Sequence, residues 1–281
     1  MFKSVEAQNF QLLKDVNPFT DSDPYNLYHN YAKNNYAILN GISYFIANDG
    51  FKSGGLWRSD GTAEGTYQIK KGSFPYNITV SNGKLFFSDN GTYGLWTSDG
   101  TEAGTVPVLT SIPAGLTYFN PHDLTDVNGT VYFSVTARSF DEQLWKSNGT
   151  KEGTMLVKDF YSSNRYSLTN FTAVHGKLYF NLDDGKLWTS NGTTSGTYSI
   201  SDNIYQPSQA TAWSSDITDP LTYFTATSQK YSNDRQLFVT VGNAGEASLV
   251  NKSAGIIFTY SSANDPLVNI GGTLYFTGYS L

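Results

Sequence analysis

Leu56-Trp57-Arg58-Ser59-Asp60-Gly61-Thr62-Ala63-Glu64-Gly65-Thr66 decides the reading of this chain, because the same pattern returns at 95–105, 144–154 and 187–197. The shared form is L-W-x-S-(D/N)-G-T-x-x-G-T. A weakened fifth copy runs from Leu237-Phe238 through Gly242-Asn243-Ala244-Gly245 to Leu249-Val250. Ahead of each copy stands an aromatic pair, usually after a two-residue turn. The pairs are Tyr44-Phe45 after Asn40-Gly41, Phe86-Phe87 after Asn82-Gly83, Tyr132-Phe133 after Asn128-Gly129, Tyr179-Phe180 after His175-Gly176, Tyr223-Phe224 and Tyr275-Phe276. Self-similarity at this period signals a solenoid, a propeller or an array.

The aromatic pairs outnumber the Leu-Trp turns, and the missing turn is found near residue 1. Phe2-Lys3-Ser4 reads like W-K-S, and Phe10-Gln11-Leu12-Leu13-Lys14-Asp15 aligns with Thr154-Met155-Leu156-Val157-Lys158-Asp159. Six units of about 47 residues then occupy 1–281 as one domain, with 2–16 completing the unit begun by 253–281. In the fourth unit the pattern predicts strands at 171–174, 177–182, 186–190 and 197–200. Asn-Gly turns supply positive φ for tight hairpins, and runs such as Leu-Tyr-Phe are apolar on both faces of their strand. The expected fold is all-β: a six-bladed β-propeller of four-stranded antiparallel blades, the last closed by the N-terminal segment.

Composition removes several alternatives. The 281 residues are 39% hydrophobic, 15% aromatic and 15% charged, with no Cys and a net charge of −6. Without Cys there is no disulfide scaffold and no thiolate metal site. His29, His122 and His175 lie too far apart in sequence for a recognisable zinc motif. No cofactor is expected. Asp183-Asp184-Gly185 and Asp21-Ser22-Asp23 offer oxygens to calcium but lack the ligand count and spacing of a calcium loop, so they read as solvated turns. The apolar runs are too short to span a membrane, and Met1 to Glu6 lack a signal peptide's apolar stretch. The 18 Lys and Arg are scattered singly, which leaves no stripe to neutralise nucleic-acid phosphates.

The repeated turn, followed by an apolar strand and Lys-Asp (Leu13-Lys14-Asp15, Val157-Lys158-Asp159), resembles the E-L-W-x-S-D-G-T-x-x-G-T repeats of large secreted or surface bacterial proteins. That resemblance covers essentially the whole chain and implies an extracellular adhesion or binding module, secreted or at the cell surface. The Glu before Leu-Trp is replaced here by Gly55, Gly94, Gln143, Lys186 and Gln236. The turn is also similar to the Asp-box of sialidases, but Arg58, Arg138, Arg165 and Arg235 are the only arginines. Arg58 belongs to the repeat, so little is left for a three-arginine carboxylate site.

With the first strand of each blade innermost, the regular turns share one face of the disc. Asp60, Asp99, Asn148 and Asn191 then read as turn formers, and Trp57, Trp96, Trp145 and Trp188 as interblade packing. The irregular loops share the other face and carry the candidate ligand-binding residues: Tyr28, Tyr76, Tyr118, His122, Arg165, Tyr166, Tyr205, Trp213 and Tyr260. Aromatic rings among Asn, Asp, Ser and Gln suit stacking on sugar C–H faces with hydrogen bonds to hydroxyls. His122 and Asp123 are neighbours whose side chains would diverge in an extended strand, so no catalytic dyad is expected. The expected function is non-enzymatic and lectin-like, with a glycan as partner. The alternatives are a protein-protein interaction or adhesion module, or a propeller hydrolase of glycosidase or lactonase type.

Overall fold

The computed structural model describes residues 13–14, 35–48, 54–72, 75–89, 94–117, 119–137, 142–160, 166–212, 220–227, 235–250, 256–257, 267–270, 273–275 and 279–280. The short turns behave as their residues demand. Asn40, Asn82, Asn128 and His175 have φ between 46° and 51°, and the glycine after each has φ between 73° and 80°. Two successive positive φ values give the hairpin turn whose twist matches the strands it joins.

Five four-stranded antiparallel sheets follow in chain order. The first comprises β1 (Tyr36–Leu39), β2 (Ile42–Asn48), β3 (Gly54–Ser59) and β4 (Tyr67–Lys70). The second comprises β5 (Pro75–Ser81), β6 (Lys84–Asp89), β7 (Gly94–Ser98) and β8 (Val106–Pro107). The third comprises β9 (Pro121–Val127), β10 (Thr130–Thr136), β11 (Glu142–Ser147) and β12 (Met155–Asp159). The fourth comprises β13 (Leu168–Val174), β14 (Lys177–Leu182), β15 (Lys186–Ser190) and β16 (Thr197–Ser199). The fifth comprises β17 (Thr211–Ala212), β18 (Thr222–Thr227), β19 (Arg235–Thr240) and β20 (Ser248–Leu249).

The sixth repeat differs from the expected blade. Its described residues form two short ladders: β21 (Ile256–Ile257) pairs with β24 (Tyr279–Ser280), and β22 (Val268–Ile270) pairs with β23 (Thr273–Tyr275). Tyr279 thus belongs to a strand. Residues 2–12, assigned to the outer strands of this unit, lie outside the described residues.

The first strands of the repeats stand side by side, from β1 through β5, β9, β13 and β17 to β22. The hydrophobic core is divided among the junctions between sheets. Leu39, Tyr44 and Leu56 of the first sheet pack with Ile78, Leu85 and Phe87 of the second. Equivalent clusters join the second sheet to the third, the third to the fourth and the fourth to the fifth. Each fully buried Leu or Phe contributes about 1.5–3 kcal/mol, so most of the stability lies between neighbours rather than within sheets. Trp96, Trp145 and Trp188 belong to this layer: Phe119 meets Trp145 edge-on at 5.3 Å, and Phe160 of the third repeat meets Trp188 of the fourth at 5.1 Å. Lys70 of the first sheet lies 3.9 Å from the centroid of Trp96 in the second, a cation–π contact.

Candidate functional site

On the face of the regular turns the polar groups satisfy one another. In the second sheet Asp99 Oδ1 accepts from the Thr101 amide at 2.9 Å and from its hydroxyl at 2.7 Å. Thr101 Oγ1 accepts from the Gly104 amide, Ser98 Oγ accepts from the Gly100 amide, and the Thr105 hydroxyl donates to the Thr101 carbonyl. The same bonds recur around Asp60, Asn148 and Asn191. The second glycine of the motif is needed for space: a Cβ at Gly65, Gly104, Gly153 or Gly196 would collide with that Asp or Asn side chain. The Thr101 hydrogen bonds hold the Asp99 carboxyl below the usual carboxylate range. Asn fills the same role in the third and fourth sheets. Asp99→Asn is therefore expected to leave the melting temperature nearly unchanged, while Asp99→Ala costs about 1 kcal/mol, as a lost cap does. Thermal denaturation of the two variants checks this.

The opposite face is built from the entering ends of the innermost strands. There the pairing slips in the same way three times: between Tyr76 and Thr79, between His122 and Thr125, and between Thr169 and Thr172. One extra residue on the inner strand makes a β-bulge, a feature common beside functional sites because it re-aims side chains. The residue that bends back is Asn77 (φ 54°), Asp123 (φ 55°) or Asn170 (φ 57°), types that tolerate left-handed backbone. The Thr125 and Thr172 hydroxyls each donate to the carbonyl of that residue at 3.1 Å. Asn77 and Asn170, which also begin Asn-x-Thr triplets, are thus bulge residues, and Asn77 is buried.

The bulge overturns the expectation for His122 and Asp123. Left-handed backbone at Asp123 folds the strand so that the two side chains meet, His122 Nδ1 lying 2.9 Å from Asp123 Oδ2. His122 Nε2 lies 2.9 Å from Glu142 Oε1, brought there because β9 and β11 both pair with β10. Glu142 Oε2 accepts from the Leu168 amide at 2.5 Å, which ties the third sheet to the inner strand of the fourth. Burial alone would lower the His122 pKa, but hydrogen bonds to Asp123 and Glu142 override it and push the pKa up to about 9. Ser134 Oγ stands 2.7 Å from His122 Nδ1 and 3.3 Å from Nε2. Both ring nitrogens thus face carboxylates.

Next to this cluster Tyr76 donates its hydroxyl to Asn120 Oδ1, and burial raises the Tyr76 pKa. Ser88 donates to the Pro121 carbonyl at 2.5 Å, binding the second sheet to the start of β9. Tyr76 and His122, expected in loops, therefore stand in strands β5 and β9, within one region. Tyr166 packs partly buried against the core between the third and fourth sheets. Tyr205 is elsewhere, bridging to Thr227 beside the fifth sheet. Trp213, Tyr118, Arg165, Tyr28 and Tyr260 lie outside the described residues.

Among the described residues no group of three His, Cys, Asp or Glu is arranged to hold a metal. Asp184, weighed for calcium, accepts from the Lys186 amide and the Trp188 indole and so forms a turn; Asp21-Ser22-Asp23 lies outside the described residues. No helix is long and apolar enough to cross a membrane among the residues described. Glu142, Asn120 and Ser134 were not singled out by the sequence. The signal that was available is the tripeptide Asn/Asp-apolar-Thr at 77–79, 123–125 and 170–172, which keeps the repeat period.

No family model matches the chain, and no curated protein sequence does. Among solved structures, an oligogalacturonate lyase from Vibrio parahaemolyticus is similar with a TM-score of 0.50 and 11% identity, over 84% of this chain and 74% of that one. The β-propeller domain of the trilobed protease from Pyrococcus furiosus is similar with a TM-score of 0.49 and 12% identity, over 89% and 79% of the two chains. A chain of a nidogen/laminin complex reaches 0.42 and 14%, over 75% and 77%. At such identities the likeness concerns the fold alone, and the five consecutive four-stranded antiparallel meanders make this chain an all-β protein.

Proposed function

We propose that the protein is a six-bladed β-propeller that acts as an extracellular binding module, secreted or at the cell surface, and takes a carbohydrate on its irregular face. The observation that carries this reading is the bulge shared by β5, β9 and β13. It gathers Tyr76, Asn120, His122 and Asp123 at the entering ends of adjacent inner strands. These groups offer hydrogen-bond donors and acceptors with an aromatic ring beside them, which suits a polyhydroxylated ligand. The four regular turns serve only the scaffold.

A glycan array followed by titration calorimetry tests the reading. The wild type is expected to bind a glycan at millimolar concentration or below. Asp123→Asn, which keeps a residue suited to the bulge, is expected to weaken that binding about tenfold, the scale of one lost charge-assisted hydrogen bond. Absence of binding to every glycan at millimolar concentration overturns the proposal. Capture of a protein that survives excess free sugar would replace it with a protein-docking role.

A further inference from the structure

We infer that the buried Lys70–Asp89 ion pair is a positioning device for the irregular-face site: it clamps the ends of β5 and β6, from which Tyr76 and Ser88 hold Asn120 and Pro121 in front of His122. The purpose of the clamp rests on the binding role proposed above, whereas the clamp itself rests on geometry alone.

Comparison between repeats singles out the pair. Asp89 ends β6, and the same position is Val135, Leu182 and Ala226 in the next three repeats, all of them buried. The Asp89 side chain is 0% exposed, so a carboxylate occupies a place that the fold otherwise fills with an apolar group. Lys70 takes the position of Leu109 in the second sheet and of Lys158 in the third. Lys158 reaches forward to the Thr197 carbonyl in the turn of the next sheet, at 3.1 Å. Lys70 also reaches the next sheet, but its Nζ lies 2.9 Å from Asp89 Oδ2, at the end of β6 away from the Asn82-Gly83 turn. Taking two charges out of water is expensive, and well-packed apolar replacements of a buried pair are commonly as stable or more so. An ion pair kept at an apolar position therefore answers to a constraint other than stability.

The neighbours of the pair supply that constraint. In the β5–β6 ladder Asp89 stands opposite Pro75 and Ser88 opposite Tyr76. The Tyr76 hydroxyl donates to Asn120 Oδ1, and the Ser88 hydroxyl donates to the Pro121 carbonyl at 2.5 Å. Both bonds end at the entry of β9, immediately before His122 and the bulge at Asp123. A chain of contacts thus runs from the outer strand of the first sheet, through Asp89 and the β5–β6 ends, to the site in the third. A binding constellation keeps its geometry only when the residues behind it are themselves locked, and the ion pair is the outermost lock of this one.

Lys70→Leu with Asp89→Leu, made in the full chain, places the residue types of Leu109 and Leu182 at the two positions. The urea midpoint is expected to stay level or rise. Amide exchange at Tyr76, Asn77, His122 and Asp123 is expected to become about tenfold faster, with no acceleration in β14. The glycan that binds the wild type best is expected to bind about tenfold more weakly in titration calorimetry. A pair that served stability alone would instead move exchange in every sheet together with the urea midpoint. Unchanged exchange at those amides overturns the inference, and so does faster exchange with undiminished glycan affinity. A wild type that binds no glycan overturns the carbohydrate proposal instead, and the exchange result then decides the clamp by itself. If the double variant does not fold, Lys70→Gln with Asp89→Asn, which removes both charges and keeps hydrogen-bonding groups, takes its place under the same criteria.

Discussion

Gly192→Ala is expected to lower the stability of the protein by about 3 kcal/mol, combining the cost of left-handed backbone for an L-residue with overpacking at a junction. Gly192 has φ 85°, and a Cβ there would run into the Tyr132 hydroxyl of the preceding sheet. The two markers of the repeat are thus a single contact, in which the aromatic residue of one unit rests on the turn glycine of the next. The second and third sheets show how the clash can be relieved, since Phe86 takes the tyrosine position above Gly149, its Cζ 3.0 Å from a Cβ placed there. Tyr132→Phe in the Gly192→Ala background should therefore recover part of the loss, leaving the backbone cost of about 1–2 kcal/mol. Urea denaturation of the two single variants and the double variant measures the coupling. Strict additivity would show that ring and glycine do not meet.

That contact explains why so much of the fold was legible. The chemistry of the repeat is local: Asn-Gly needs positive φ, and Asp or Asn caps the amide two residues on. In the fourth sheet the expected strands at 177–182 and 186–190 coincide with β14 and β15. The candidate site was less legible because its geometry depends on one inserted residue. Alternation along a strand sends His122 and Asp123 apart, and only the left-handed backbone at Asp123 reverses this. Glu142 reaches His122 through strand pairing from a distant point in sequence, which no local pattern announces. The indole partners show the same dependence on context. Gln143 accepts from Trp145 at 2.9 Å, whereas in the first sheet Gly55 takes the glutamine position and Trp57 Nε1 has no partner.

The pH dependence of stability provides the second large effect. His122 has its pKa raised to about 9 in the folded protein, against about 6.5 for an unperturbed histidine. A group whose folded pKa is raised contributes stability that is complete below its unfolded pKa and disappears as pH rises through its folded pKa. The gap corresponds to about 3 kcal/mol, present at pH 6 and lost by pH 10. Other groups titrate in that range, so the informative quantity is the difference between the wild type and His122→Gln, which carries no titrating charge. Denaturant unfolding from pH 6 to pH 10 should show the wild-type advantage shrinking with a midpoint between the two pKa values. Glu142→Ala should cost about 3–5 kcal/mol at pH 6, the scale for breaking a buried ion pair, because it also strips the Leu168 amide of its acceptor. With Glu142→Gln an acceptor for that amide is kept while the charge is lost, so the imidazole resonance of His122, followed by NMR, should titrate nearer 6.5 than 9. Parallel pH curves for the wild type and His122→Gln would remove His122 from the electrostatics of the fold. A titration near 9 would leave the imidazole charged at neutral pH, fixed between Asp123 and Glu142 and without a free nitrogen to accept a proton from a substrate.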